Sequence, residues 1–130
     1  MRRRVHLAIV PAAAPIQSIC DAQDLSLRGL ARGLGGAAVE HNIKERTFTI
    51  VDLGDHVWGE PAALAGGRAA ALGIGAVRAR PLVIDDDGVE RLAIRPAALL
   101  TLAYDARVLD QCYADAFLRD LKSRLEQFHM

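Results

Sequence analysis

The ten residues Leu102-Ala103-Tyr104-Asp105-Ala106-Arg107-Val108-Leu109-Asp110-Gln111 constrain this chain more than any other stretch. An apolar run from Ala97 to Ala103 leads into them, and an amphipathic run from Tyr113 to Phe128 leads out. The order predicts a strand, a tight polar turn and a helix. It gathers Asp105, Arg107 and Asp110 near one strand end, where α/β enzymes carry their chemistry on loops held by a rigid scaffold. Ala97 to Tyr104 reads as a strand of the buried type. Asp110 can cap the helix that follows.

That helix, expected over about 110–128, aligns Ala114, Phe117, Leu118, Leu121, Leu125 and Phe128 in one stripe. Asp115–Arg119, Asp120–Arg124 and Lys122–Glu126 stand four residues apart, a spacing at which opposite charges contribute a few tenths of a kcal/mol each. A second helix is expected over about 26–39. Ser26 can cap it, and Leu27, Leu30, Ala31, Leu34 and Ala38 share a face. Gly29, Gly33, Gly35 and Gly36 weaken it by about 1 kcal/mol each relative to alanine, so it depends on packing.

Shorter apolar runs fill the rest. Val5, Leu7 and Ile9 alternate with His6 and Ala8, which predicts a strand over residues 4–10. Pro11 to Pro15 is a turn, and Ile16 to Cys20 a second short strand. Thr47 to Gly54 and Ala69 to Arg78 are further strands. Gly73-Ile74-Gly75 has the Gly-x-Gly form but opens no helix, so close packing of a strand on a neighbour is preferred to phosphate binding. Leu82-Val83-Ile84 and Arg91-Leu92-Ala93-Ile94 flank Asp85-Asp86-Asp87-Gly88, a hairpin with Asp87-Gly88 as its turn. The three aspartates are read as a solvated hairpin tip, because no second ligand cluster has a matching spacing.

With 130 residues, the chain is expected to form one domain, and it is long enough to bury a core. Its 16 basic and 16 acidic residues balance, which argues against nucleic acid as the main partner. The N-terminus has the basic-then-apolar order of a signal peptide, with Ala12-Ala13-Ala14 as a cleavage site. His6 and Pro11 interrupt the apolar run, and the strand reading is preferred. No window reaches the length of a membrane span. Cys20 and Cys112 have no metal spacing and are expected to be buried or half-buried thiols in a reducing, cytoplasmic setting.

Several of these stretches together resemble the catalytic domain of the dihydrolipoyl acyltransferases of 2-oxo acid dehydrogenase complexes, which share the fold of chloramphenicol acetyltransferase. Asp105-Ala106-Arg107-Val108-Leu109-Asp110-Gln111 resembles the Asp-His-Arg-x-x-Asp-Gly signature. Asp21-Ala22-Gln23-Asp24-Leu25-Ser26-Leu27, Thr47-Phe48-Thr49-Ile50-Val51-Asp52-Leu53-Gly54 and Ala71-Leu72-Gly73-Ile74-Gly75 resemble three further motifs. The resemblance runs from Val5 to Leu125 and covers the C-terminal half of the family's catalytic domain. It implies an α/β chloramphenicol acetyltransferase-like half-domain, a mixed β-sheet packed with two main helices.

Two departures bear on activity. The family's general-base histidine stands where this chain has Ala106, which cannot accept a proton. The serine that donates to the oxyanion stands where this chain has Val51, and one such donor is worth roughly 3–4 kcal/mol of barrier. The closing glycine is Gln111. In the family, the aspartate at the position of Asp110 forms an ion pair that holds the active-site loop. Active sites there lie between subunits of a trimer, with the histidine from one chain and the serine from its neighbour.

The expected function is therefore a catalytically degenerate acyltransferase-like protein acting as an assembly or interaction subunit. One alternative is a repurposed enzyme of cyclase or isomerase type using Asp105, Asp110, His56 and Tyr104 in the old inter-subunit cleft. Another is one half of a split CoA-dependent acyltransferase. Of the histidines, His56 is the best-placed substitute base, ahead of His6, His41 and His129. Cys112, near a helix N-terminus, is a minor candidate nucleophile. No cofactor or metal is expected; CoA or lipoyl binding is brought to mind by the resemblance but gains no support from these residues. The expected partner is a second copy, as in the family's trimers, or a separately encoded acyltransferase half.

Overall fold

A computed structural model describes residues 7–11, 16–34, 48–55, 57–64 and 68–128. Seven strands and two helices follow in the order β1 (Leu7–Val10), β2 (Gln17–Ile19), α1 (Leu27–Leu34), β3 (Phe48–Asp52), β4 (Ala70–Ile74), β5 (Arg78–Asp86), β6 (Val89–Ala97), β7 (Leu100–Tyr104) and α2 (Gln111–Glu126). A short 3₁₀ turn, Ala22–Asp24, precedes α1. Five strands form a mixed sheet in the order β2-β1-β3-β4-β7. β1, β3 and β4 run parallel, and β2 and β7 are antiparallel to their neighbours. The expected mixed α/β architecture with two main helices is present.

The core is built of small residues. Ala8, Ala70, Ala71, Leu72 and Ala114 are buried, and no large side chain is fully buried among the described residues. β4 is the centre of this arrangement. A Cβ on Gly73 would stand 2.6 Å from Thr101 Oγ1, and one on Gly75 would collide with the Trp58 carbonyl. The Gly-x-Gly pattern thus marks close packing, as its sequence context indicates. The Gly75 amide donates to Leu99 O at 2.9 Å and the Ala76 amide to Val57 O at 2.8 Å, which fixes the exit from β4. Thr49 is buried in β3, and its Oγ1 accepts from Arg68 Nη1 at 2.8 Å, so the hydroxyl keeps a partner inside the core.

α2 packs on one sheet face through Ala114 and Phe117, whose ring lies 5.9 Å from that of Phe48 at a tilted angle favourable for aromatic pairs. Asp110 is its N-cap and accepts from Tyr113 N at 2.7 Å. Asp120–Arg124 and Lys122–Glu126 form at 2.8 and 3.7 Å; the third expected pair, Asp115 with Arg119, does not. The far end of the stripe, Leu125 and Phe128, stays exposed. α1 starts where expected, with Ser26 Oγ accepting from Gly29 N at 3.2 Å. Residues 35–39, expected to extend it, lie outside the described residues. Among the described elements β2 is its main neighbour; Leu30 is half-buried and Leu27 is 62% exposed.

Three other expectations change. β7 is an edge strand of half-buried residues rather than a buried strand, since β4 pairs with it on one side and no described strand flanks the other. Cys20 and Cys112 are both free and exposed, not buried: one follows β2 into a turn and the other lies on the outer side of α2. The hairpin is longer than expected and stands apart as a separate two-stranded ribbon. Its turn is as read, with Asp87 and Gly88 both at positive φ, 52° and 82°. Asp85 accepts from Gly88 N at 2.6 Å and Asp86 pairs with Arg91 at 3.2 Å, so two of the three tip carboxylates serve the hairpin itself.

The β4 packing predicts opposite outcomes for two glycine substitutions. Gly75→Ala lowers unfolding stability by roughly 1–3 kcal/mol, as overpacking does. Gly33→Ala, whose Cβ would meet Ile19 at an ordinary 3.8 Å, raises it by roughly 0.5–1 kcal/mol. Urea unfolding of both variants checks the pair.

Candidate functional site

β7 ends at Tyr104, and Asp105 closes the strand by donating its amide to Ala69 O at 2.9 Å. Its carbonyl then accepts from Val108 N and Leu109 N at 2.9 and 3.0 Å, which folds residues 105–109 into a tight turn ahead of the Asp110 cap. The Asp105 carboxylate reaches back into the turn. Oδ1 accepts from the Arg107 amide and from Nε, both at 3.0 Å, and Oδ2 accepts from Nη2 at 2.6 Å. This is a two-pronged guanidinium–carboxylate pair, the geometry that makes arginine pairs strong and directional.

The hydrogen bonds from the Arg107 side chain, then that from its amide, hold the Asp105 carboxyl down at about 2, against an ordinary 3.8; its weak burial and the arginine's charge act in opposite directions and matter less. The same pairing raises the Arg107 guanidinium further. Arg107 thus pairs with Asp105 and not with Asp110. Asp110 is occupied by the helix N-terminus, whose free amides attract a carboxylate.

Ala106 lies between these two carboxylates, exposed at the turn. Val51 is half-buried in β3 and pairs with Gly73, which pairs with Thr101. Two strand spacings of about 4.8 Å separate Val51 from Thr101, and roughly 10 Å more of extended strand leads to Tyr104. The pleat also sets them on different faces: Phe48, on the α2 side, and Thr49 alternate ahead of Val51, which falls on the side covered by Ala62. Positions 51 and 106 of one chain therefore do not meet.

Three of the four residues grouped as a repurposed site are among the described residues. Tyr104, Asp105 and Asp110 sit at one end of the sheet. His56 lies outside the described residues, as do His6, His41 and His129. A cavity of about 210 Å³ lies next to the turn, but its lining, including Phe48, Leu102, Leu109 and Phe117, is apolar. An open groove of about 780 Å³ runs between the hairpin base and the C-terminal half of α2, lined by Val77, Leu99, Leu118 and Leu125 with Lys122 and Glu126 at its rim. Neither is lined by Tyr104, Asp105 or Asp110. No group of three or more metal-ligating side chains occurs among the described residues. None of their helices is long and apolar enough to cross a membrane.

This strand–turn–helix, with its acid pair and its central glycine-bearing strand, has close counterparts. Residues 18–130 match the 2-oxoacid dehydrogenases acyltransferase (catalytic domain) family. The chain belongs to that family. It is 35% identical to the dihydrolipoyllysine-residue acetyltransferase component of the pyruvate dehydrogenase complex of Corynebacterium glutamicum, over 94% of this chain and 20% of that protein. The corresponding component of Mycobacterium bovis is 39% identical over 84% of this chain and 22% of its own length. The chain thus spans about a fifth of the curated relatives it matches. A probable dihydrolipoamide acetyltransferase of Listeria monocytogenes superposes with a TM-score of 0.83 at 25% identity, covering 97% of this chain and 57% of that one.

Sequence reasoning missed three interactions in this acyltransferase-like domain: Arg68 with Thr49, Arg78 with the Asp55 carbonyl, and Arg80 over Trp58. Only Arg78-Ala79-Arg80 left a usable signal, since residues two apart share a strand face.

The depressed Asp105 carboxyl gives a signed expectation. Its pair with Arg107 is present above the unfolded carboxylate range, near pH 4, and is lost as pH falls through about 2. Carboxyl-carbon NMR of the folded chain should place the Asp105 midpoint near 2, and Arg107→Gln should move it back toward the ordinary range.

Proposed function

We propose that this member of the acyltransferase family is catalytically degenerate and serves as an assembly or interaction subunit. The observation that carries the reading is Ala106. Its turn has the Asp105–Arg107 clamp and the Asp110 cap, while the position of the proton acceptor holds a methyl group. Val51 adds to it, because a valine side chain has no donor for a developing oxyanion. The named relatives are components of multienzyme complexes, which supports a role within an assembly. The unpaired side of β7 and the uncovered face of α1 are surfaces of the kind that partners cover.

Reuse of Asp105 or Asp110 as a catalytic carboxylate is disfavoured. The first is engaged by three donors of Arg107 and the second by a helix terminus. A separately encoded half that completes an acyltransferase remains a distinct arrangement, and it needs a base from the partner.

Two measurements test the proposal. Purified from its host, the chain should elute at a native mass above that of one copy, either alone or with a stoichiometric partner. Acetyl transfer from acetyl-CoA to dihydrolipoamide by that species should not exceed the uncatalysed background by more than tenfold. Turnover within tenfold of an intact family member would overturn the degenerate reading, and a strictly monomeric chain without partners would overturn the assembly role.

A further inference from the structure

We propose that Arg78, Arg80 and Arg95, on one face of the β5–β6 ribbon, form a binding site for the phosphoryl group of a small molecule. This goes beyond the function proposed above and does not depend on it. The register places Arg80 directly opposite Arg95 and Arg78 opposite Ala97, so Arg78 is the diagonal neighbour of Arg95 on the same face. Like charges directly opposite each other destabilise a strand pair. An anion held between them reverses the sign of that term.

The ribbon has its own carboxylates but does not use them here. Asp86 neutralises Arg91 near the tip at 3.2 Å. Asp85 and Glu90 oppose each other next to it, on the other face. No carboxylate pairs with Arg78, Arg80 or Arg95 among the described residues. Acids thus cluster at the tip and unpaired arginines at the base.

Two of the three arginines are held in place by the loop after β3. Arg78 Nη2 donates to the Asp55 carbonyl oxygen. The Arg80 guanidinium lies 4.1 Å from the centroid of the Trp58 ring, a cation–π arrangement that fixes its plane. Arg80 Nε is buried there without an acceptor. A guanidinium docked in this way offers its outward N–H groups with little ordering left to do on binding. Forked donors on planar groups suit a phosphoryl group, which can accept from more than one guanidinium at once. Three arginines on one face at one end of a ribbon, on a chain with no net charge, fit a compact anion and not an extended nucleic-acid backbone, which needs a basic stripe.

Trp58 is the chain's only tryptophan, so its emission reports on Arg80 directly. The full chain is titrated with inorganic pyrophosphate at constant ionic strength while Trp58 fluorescence is followed. The expected result is a saturable one-site change. Arg95→Gln should weaken it at least tenfold, and Arg95→Lys, which keeps the charge without the fork, by an intermediate factor. Arg119→Gln, an exposed arginine of α2 outside the ribbon, should leave it within twofold. Should Arg95→Gln fail to fold, Arg78→Gln reads out the same loss. No saturable change in the unaltered chain, or equal weakening by Arg119→Gln, overturns the proposal. So does emission that varies with protein concentration and ignores pyrophosphate, which marks acidic side chains of a second copy as the occupant.

Discussion

The contact on which the rest of the architecture depends is the approach of the Trp58 carbonyl to the α-carbon of Gly75. No side chain fits between them. The approach presses the 57–62 segment onto the face of β4 and β7 opposite α2, where Ala62 is buried and Thr101 Oγ1 donates to Glu60 O at 3.1 Å. It fixes the ring of Trp58, and through it the plane of Arg80. Because the core is built from alanine and glycine, its cohesion comes from many short contacts between backbones and few from large buried side chains. Such a core tolerates little added volume at its centre.

What the sequence made legible was local. Asp87-Gly88 specifies its turn within two residues, and Ser26 and Asp110 announce helix starts because a short polar side chain can reach an amide of the first turn. The signature motif and the glycine-bearing strand carried the family. What escaped depended on distant parts of the chain. The pairing of Arg80 with Trp58 and of Arg68 with Thr49 joins residues far apart in sequence with no periodic signal. The burial of Cys20 and Cys112 was misjudged for a related reason: thiol character gives a preference for the interior, but only the neighbours decide whether an interior exists there. β7 was misjudged similarly, since an apolar run cannot show how many strands flank it.

Asp105 and Asp110 show what motif residues do locally. The clamp on Arg107 and the cap on α2 each do a local structural task, satisfying backbone donors and closing a turn. Those tasks exist whether or not a base stands at position 106. In this chain both acidic residues of the signature therefore have a local folding task.

The ribbon has a thermodynamic consequence. Its nine backbone pairs form a ladder of their own, and it joins the rest of the fold through residues 75–77 and 98–99 and through Arg78 and Arg80 on the 55–58 loop. Leu92 and Ile94 are 76% and 74% exposed, so the middle of the ribbon adds little buried area beyond its own ladder. The five-stranded sheet loses no hydrogen-bonded pair when it opens. The order of the ribbon thus rests on its own ladder and on the Arg78 and Arg80 contacts at its base, and losing the Trp58 docking would loosen it before the alanine-rich sheet.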